Sequence, residues 1–224
     1  MSLSSITALV DDKLRSVALG AAADTSARDR AIAQALVQYG EDAPQALVAD
    51  AAGVTGYFID VPEDWVAVRS RLLAVEYPLD QVPMATLEAS ELHQVSGWRL
   101  VLAEPVANLT VRVHYTAPHN LDGSTVPAHH ENAVACWAAA ELCRQLATRL
   151  GHDRDATIGA MAQQQGSQSG DMARRAKEWL AVYRTALGLA DPEKAGGGAT
   201  GKPAGAVVSW GASRPRGRFY SVQG

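Results

Sequence analysis

A change of hydrophobic period between Leu109 and Leu150 constrains this chain more than any other feature. Leu109, Val111, Val113 and Tyr115 alternate with Thr110, Arg112 and His114, the period of a strand buried on one face. Pro118 and the Asp122-Gly123 pair end that strand, and Pro127 stands where a helix can begin without losing a hydrogen bond. From His129 the spacing turns helical, with Val134, Ala138, Leu142, Leu146 and Leu150 recurring every fourth residue. Ala135, Cys136, Ala139, Ala140, Cys143 and Ala147 widen the stripe, and a face this small lets another helix backbone come close. The segment carries no chemistry of its own.

The flanks extend the pattern. Ile6, Leu9, Val10, Leu14 and Val17 form a helical stripe that runs out near Gly20. Asp24, Thr25 and Ser26 offer cap oxygens for a second helix, with stripe Ile32, Ala35, Leu36 and Tyr39, ended by Gly40. Residues 45–50 and 56–60 then read as short strands around turn residues Gly53 and Gly56. A strand over 71–77 is closed by Pro78 and Pro83, and 97–104 with 108–115 reads as an antiparallel pair joined through Pro105. After the 127–150 helix come Gly151, a polar segment over 163–170 and a last helix with Met172, Ala176, Trp179, Leu180, Tyr183 and Leu187 on one face. Neither helical pair has enough apolar face for its own core. The expectation is therefore an α+β fold: a helical bundle of two N-terminal and two C-terminal helices, a β-rich insertion and an extended C-terminal arm. The boundaries are 1–44, 45–118, 119–190 and 191–224.

Several functional classes are disfavoured by composition. At 224 residues and 47% hydrophobic content the chain has ample core material, and a net charge of -4 argues against nucleic-acid binding through the whole surface. Cys136 and Cys143, seven apart on one helical face, stand roughly 10 Å apart by helical rise, too far for a disulfide. They read as buried small hydrophobes in a reducing compartment. Asp11 and Asp12 come too early for a signal peptide, and no stretch approaches the ~20 apolar residues of a membrane span. A soluble protein made in the cytoplasm is expected.

Motifs for catalysis are sparse. His129 and His130 diverge by about 100° on a helix, whereas a helical zinc pair needs i and i+4 spacing. They read as solvent-exposed first-turn residues, and Glu131 as a partner of the helix dipole. Asp60, Glu63 and Asp64 around Pro62 lack a supporting base or nucleophile, and the glycines at 196–198 before Lys202 lack the spacing of a phosphate loop. The reading is no enzyme, no metal and no cofactor. One segment differs in kind: Trp210, Arg214, Arg216, Arg218, Phe219 and Tyr220 concentrate side chains common at binding hot spots. They are the candidate partner-binding residues. Arginine between aromatics also suits single-stranded nucleic acid, and the apolar run over 205–210 suits strand addition to a sheet edge.

The order of these pieces resembles the head-to-tail adaptor (connector, or neck) proteins of tailed bacteriophages, over roughly residues 5–188. It rests on the N-terminal helices, VEYPLDQVP, WRLVLAEPVANLTVRVHYTAPHNL read as a hairpin, VPAHHENAVACWAAAELCRQLA and RRAKEWLAVYRTAL. The resemblance implies a structural virion protein at the neck, under the portal vertex, forming a homo-oligomeric ring of about twelve copies. Such a ring extends the DNA channel, lets DNA pass without specific binding, and joins the portal protein to a downstream neck or tail protein. Its C-terminal arm reaches toward the portal. The alternatives are another neck or tail component (a tail terminator or head-completion protein) and a nucleic-acid-binding packaging accessory protein that uses Arg214–Arg218.

Overall fold

Two hydrophobic clusters, one among helices and one among strands, organise the described residues. The computed structural model describes residues 3–15, 25–95, 97–155 and 160–190, without the side chains of 153–155 and 160–167. The elements are α1 (Leu3–Leu14), α2 (Thr25–Asp42), β1 (Gln45–Asp60), β2 (Arg71–Glu76), β3 (Thr86–Leu87), β4 (Ala89–Gln94), β5 (Gly97–Ala117), α3 (Ala128–Asp155) and α4 (Ala160–Leu187). The fold is α+β, with a single antiparallel sheet among the described residues.

Helix α3 is the centre of the helical cluster. Val134, Ala138, Leu142 and Leu146 are buried along it, together with Ala135, Cys136, Ala139, Ala140 and Cys143. Ile6, Val10 and Leu14 of α1, Ile32, Ala35 and Leu36 of α2, and Met172, Ala176, Tyr183 and Leu187 of α4 complete the cluster. Polar ties register the helices. Ser5 donates to the Glu131 carboxylate at 2.7 Å, and Lys13 donates to Asn132 while sitting over the Trp179 ring. The Tyr183 hydroxyl donates to Asp42 at 2.6 Å.

The helices outrun their expected limits. Gly40 lies inside α2, which continues to Asp42. The missing side chain serves packing there, since a Cβ would stand 3.2 Å from the His119 backbone nitrogen and 3.3 Å from Pro118 Cβ. The polar 163–170 segment belongs to α4, and α3 runs past Gly151 to Asp155. Gly151 and Ser169 face each other across the pair, where Ser169 Oγ donates to the Ala147 carbonyl. Glycine costs a helix interior only about 1 kcal/mol, so interhelical packing carries the backbone through.

The sheet is built on one long partnership. The expected pair over 97–104 and 108–115 is a single 21-residue strand, β5, not a hairpin. Likewise the two short strands over 45–60 are one, β1, and the two long strands run antiparallel from Gln45↔Ala117 to Asp60↔Arg99. The turn-forming residues make bulges instead. Ala52 and Gly53 together oppose Thr110, with Gly53 at φ +68°, and Asn108 lies at φ +51° near a second shift. Pro105 falls in a stretch of β5 skipped by the ladder between Val101 and Val106, where its missing N–H costs no bond. The other edge of β5 takes β4 along 97–102 and β2 along 112–116. Leu92 and Glu91 of β4 alternate much like surface residues, which hid that strand in the sequence.

Val75, Leu100, Leu102, Val111, Val113 and Tyr115 are buried on the inner side of this curved sheet, against Trp65. The alternation that predicted a half-buried strand over 109–115 is what the structure shows.

Candidate interaction surfaces

Among the described residues polar side chains converge on the outer face of the sheet, at the joint between the two clusters, and at the acidic turn after β1. On the outer face Asp50, Arg112 and Glu76 are register neighbours on β1, β5 and β2. Alternation puts them opposite the buried Val111 and Val113. Arg112 donates through Nε and Nη2 to both oxygens of Asp50, at 2.8 and 3.3 Å, and through Nη1 to Asp80 at 2.7 Å. Glu76, with its side chain 6% exposed, lies 3.0 Å from His114 Nε2 and accepts the Asp80 backbone N–H. Its hydrogen bonds to His114 and to that N–H hold its carboxyl below the usual range. The Arg112 bond lowers Asp50 in the same way, and Asp50 with Asp80 raises the guanidinium. Every charge here meets an opposite one. The network pins the 77–83 loop to the sheet; it holds no spare nucleophile or base.

At the joint, the chain passes from helix to sheet between Ala43 and Gln45 and returns between Ala117 and Val126. His119 sits in it. Its Nε2 is 3.0 Å from the Ala43 carbonyl, which only accepts, so Nε2 carries a proton. Its Nδ1 is 3.1 Å from both the Thr125 carbonyl and the Thr125 hydroxyl, and that hydroxyl also accepts the Asn120 N–H. A neutral imidazole protonated at Nε2 meets the Ala43 carbonyl and can accept the Thr125 hydroxyl proton at Nδ1, whereas only the protonated ring could donate to both carbonyls. Burial pushes His119 below its ordinary value, against the opposing pull of the two carbonyls. Tyr39 stacks on His119 with ring centroids 4.7 Å apart. Its hydroxyl reaches His130 Nδ1, and burial raises the phenol to about 12. His130 is lowered by burial and then by His129 and His119.

The histidines therefore differ from expectation. His129 is exposed, but His130 is half-buried and bonded to Tyr39 rather than facing solvent. Glu131 is 6% exposed and accepts from Ser5, a role beyond the helix dipole. Nothing in sequence spacing relates position 39 to position 130. Among the described residues no three His, Cys, Asp or Glu side chains converge as a metal would require. Both cysteines are free and buried, and burial raises their thiols.

The acidic turn stays scattered. Asp60 pairs with Arg99 at 3.0 Å, while Glu63 and Asp64 line an open cleft of about 450 Å³ beside Trp65, Arg69 and His119. The Trp65 indole N–H and the Arg69 Nε–H are buried without a partner there, and Arg69 Nη2 donates to the Val37 carbonyl of α2. Trp210, Arg214, Arg216, Arg218, Phe219 and Tyr220 lie outside the described residues. No helix among the described residues is long and apolar enough to cross a membrane. No protein-family model and no curated protein matches this sequence.

Proposed function

We propose that the chain is a structural virion protein, the head-to-tail adaptor of a tailed phage. In this reading copies form a ring of about twelve below the portal, extend the DNA channel and receive the next neck or tail protein. The four helices act as one body, the sheet is an insertion presented by it, and 191–224 is the arm that reaches the portal. The observation that carries the reading is the order of elements: two helices, a β unit with its own core, then a small-residue helix and its partner. That order is the one on which the resemblance rests. The polar groups on the outer sheet face and at the joint support it too, because they are spent on mutual pairing within the fold. A ring of identical copies needs heterologous faces that close by rotation, and helix faces provide such surfaces without catalytic side chains.

The test is symmetry-resolved imaging of the particle. About twelve copies under the portal are expected, whereas a six-fold ring at the tail end would replace this reading with a tail terminator. A chain truncated after Ala190 keeps both hydrophobic clusters. It should therefore fold yet leave heads without tails. Wild-type occupancy on portals by the truncated chain would overturn the role of the arm. Tight, salt-dependent DNA binding by the free protein would favour the packaging accessory instead.

A further inference from the structure

The outer edge of β1 has no partner strand among the described residues, since β1 pairs with β5 alone. The stretch Gln45–Ala51 is the regular part of that edge, paired to 117–111 without a register shift. Edge strands are ordinarily protected by lysine, proline, strong bulges or a covering element. This stretch contains no Lys, Arg or Pro, and Val48 at its centre is 55% exposed. We propose that residues 205–210 of the same chain, Gly-Ala-Val-Val-Ser-Trp, add to this edge as a further strand.

Three observations favour that occupant. The first is where the chain leaves the described structure. The end of α4 reaches the end of α2, where Tyr183 bonds Asp42 three residues before β1 begins. The second is length. Fourteen residues, 191–204, separate the described part from the run, and extended they span up to about 46 Å. The edge stretch is about 23 Å long, so the run reaches it in either direction at the high effective concentration of a tether. The third is charge. Residues 45–118 hold nine Asp and Glu against four Arg, while 200–224 hold four Lys and Arg and no acid. Val207, Val208 and Trp210 are also residue types that suit a strand.

Docking would give the arm a definite exit. Arg214, Arg216, Arg218, Phe219 and Tyr220 would be displayed from the sheet end of the molecule rather than from a free tether at α4. This holds whether or not the protein sits on a portal, so it stands apart from the adaptor reading.

The test uses the purified full chain with no partner. Hydrogen exchange is followed across 45–51 in wild type and in Val208→Pro, which removes a backbone donor from the run while leaving every residue of the two described hydrophobic clusters in place. The expected result is exchange at least tenfold faster across 45–51 in the variant, with the thermal midpoint nearly unchanged. Equal exchange in the two chains would overturn the proposal. A second arm places Val48→Cys together with Val207→Cys or Val208→Cys, in a chain whose native thiols are buried. Oxidation should give internally linked monomers in at least one of the two pairs. Linked dimers would mean that a second copy fills the edge, and no linkage in either pair would mean that nothing does; both results refute docking within one chain.

Discussion

The phenol oxygen of Tyr39 lies 2.7 Å from Nδ1 of His130, tying the end of α2 to the first turn of α3. Tyr39 is 1% exposed, so its hydroxyl has no water to turn to, while His130 is half-buried. Tyr39→Phe leaves the ring contact with His119 but removes the hydrogen bond to the half-buried imidazole. The expected loss is about 0.5–1.5 kcal/mol in urea unfolding, the net worth of one hydrogen bond. Tyr39→Ala, which also empties the site, should lose about 3–5 kcal/mol. A Phe variant with an unchanged midpoint would show that the bond contributes nothing.

Two helical glycines should respond to alanine with opposite sign. A Cβ at Gly170 meets nothing within 4 Å, so Gly170→Ala should stabilise by about 0.5–1 kcal/mol through helix propensity. At Gly40 the same gain is set against contacts of 3.2 and 3.3 Å to His119 and Pro118. Those neighbours include backbone and cannot swing aside, so Gly40→Ala should destabilise by about 1–2 kcal/mol net. Thermal melts of the two variants check both signs.

Acid should loosen the joint before it disturbs the sheet. His119 and His130 have folded values below their ordinary value near 6.5, so the unfolded chain takes those protons first. Their contribution is complete above about pH 6.5 and is lost as pH falls through the lower folded values. Glu76 and Asp50 are also depressed, but from ordinary carboxylate values, so their contribution is lost only in more acidic solution. The urea midpoint should drop from pH 7.5 to pH 5.5, and the drop should shrink in a His119→Asn, His130→Asn chain. An identical drop in that double variant would assign the effect elsewhere.

The centre of α3 should be intolerant of charge and closed to reagents. Leu142→Asp places an unpaired carboxylate among Cys143, Leu146 and the facing α4 residues, at a cost above about 3 kcal/mol. Soluble, helical Leu142→Asp protein with wild-type melting would refute this placement of α3. Native Cys136 and Cys143 should not react with a thiol reagent at pH 8, because both are buried and raised. Two thiols should appear on unfolding.

The helices were legible wherever periodicity was long. The stripe from Val134 to Leu146, and that from Met172 to Leu187, predicted both the burial and the facing of α3 and α4. The sheet was half legible. Alternation at 109–115 gave the correct face, but Gly53, Gly56 and Pro105 read as breaks when they are bulges inside two long strands. A local signal cannot separate a turn from a bulge, since both need positive φ or an unpaired N–H; the distant partner strand decides. The joint was not legible at all. Tyr39, His119 and His130 are brought together by two chain crossings, and Gly40 matters only because His119 arrives against it.

Those crossings set how a load would travel through the molecule. The chain enters the sheet at Gln45 and leaves it at Ala117, and these two residues are paired neighbours at the same end of β1 and β5. A pull on the sheet away from the helices would therefore tension both strands together instead of sliding one along the other. The load would converge on the short span holding Ala43, Gln45, Pro118 and His119, where Gln45 Nε2 donates to the Pro118 carbonyl and His119 to the Ala43 carbonyl. Stretched in a single-molecule trap, the protein should yield first at this waist, with sheet and helices parting as two intact bodies before either unravels.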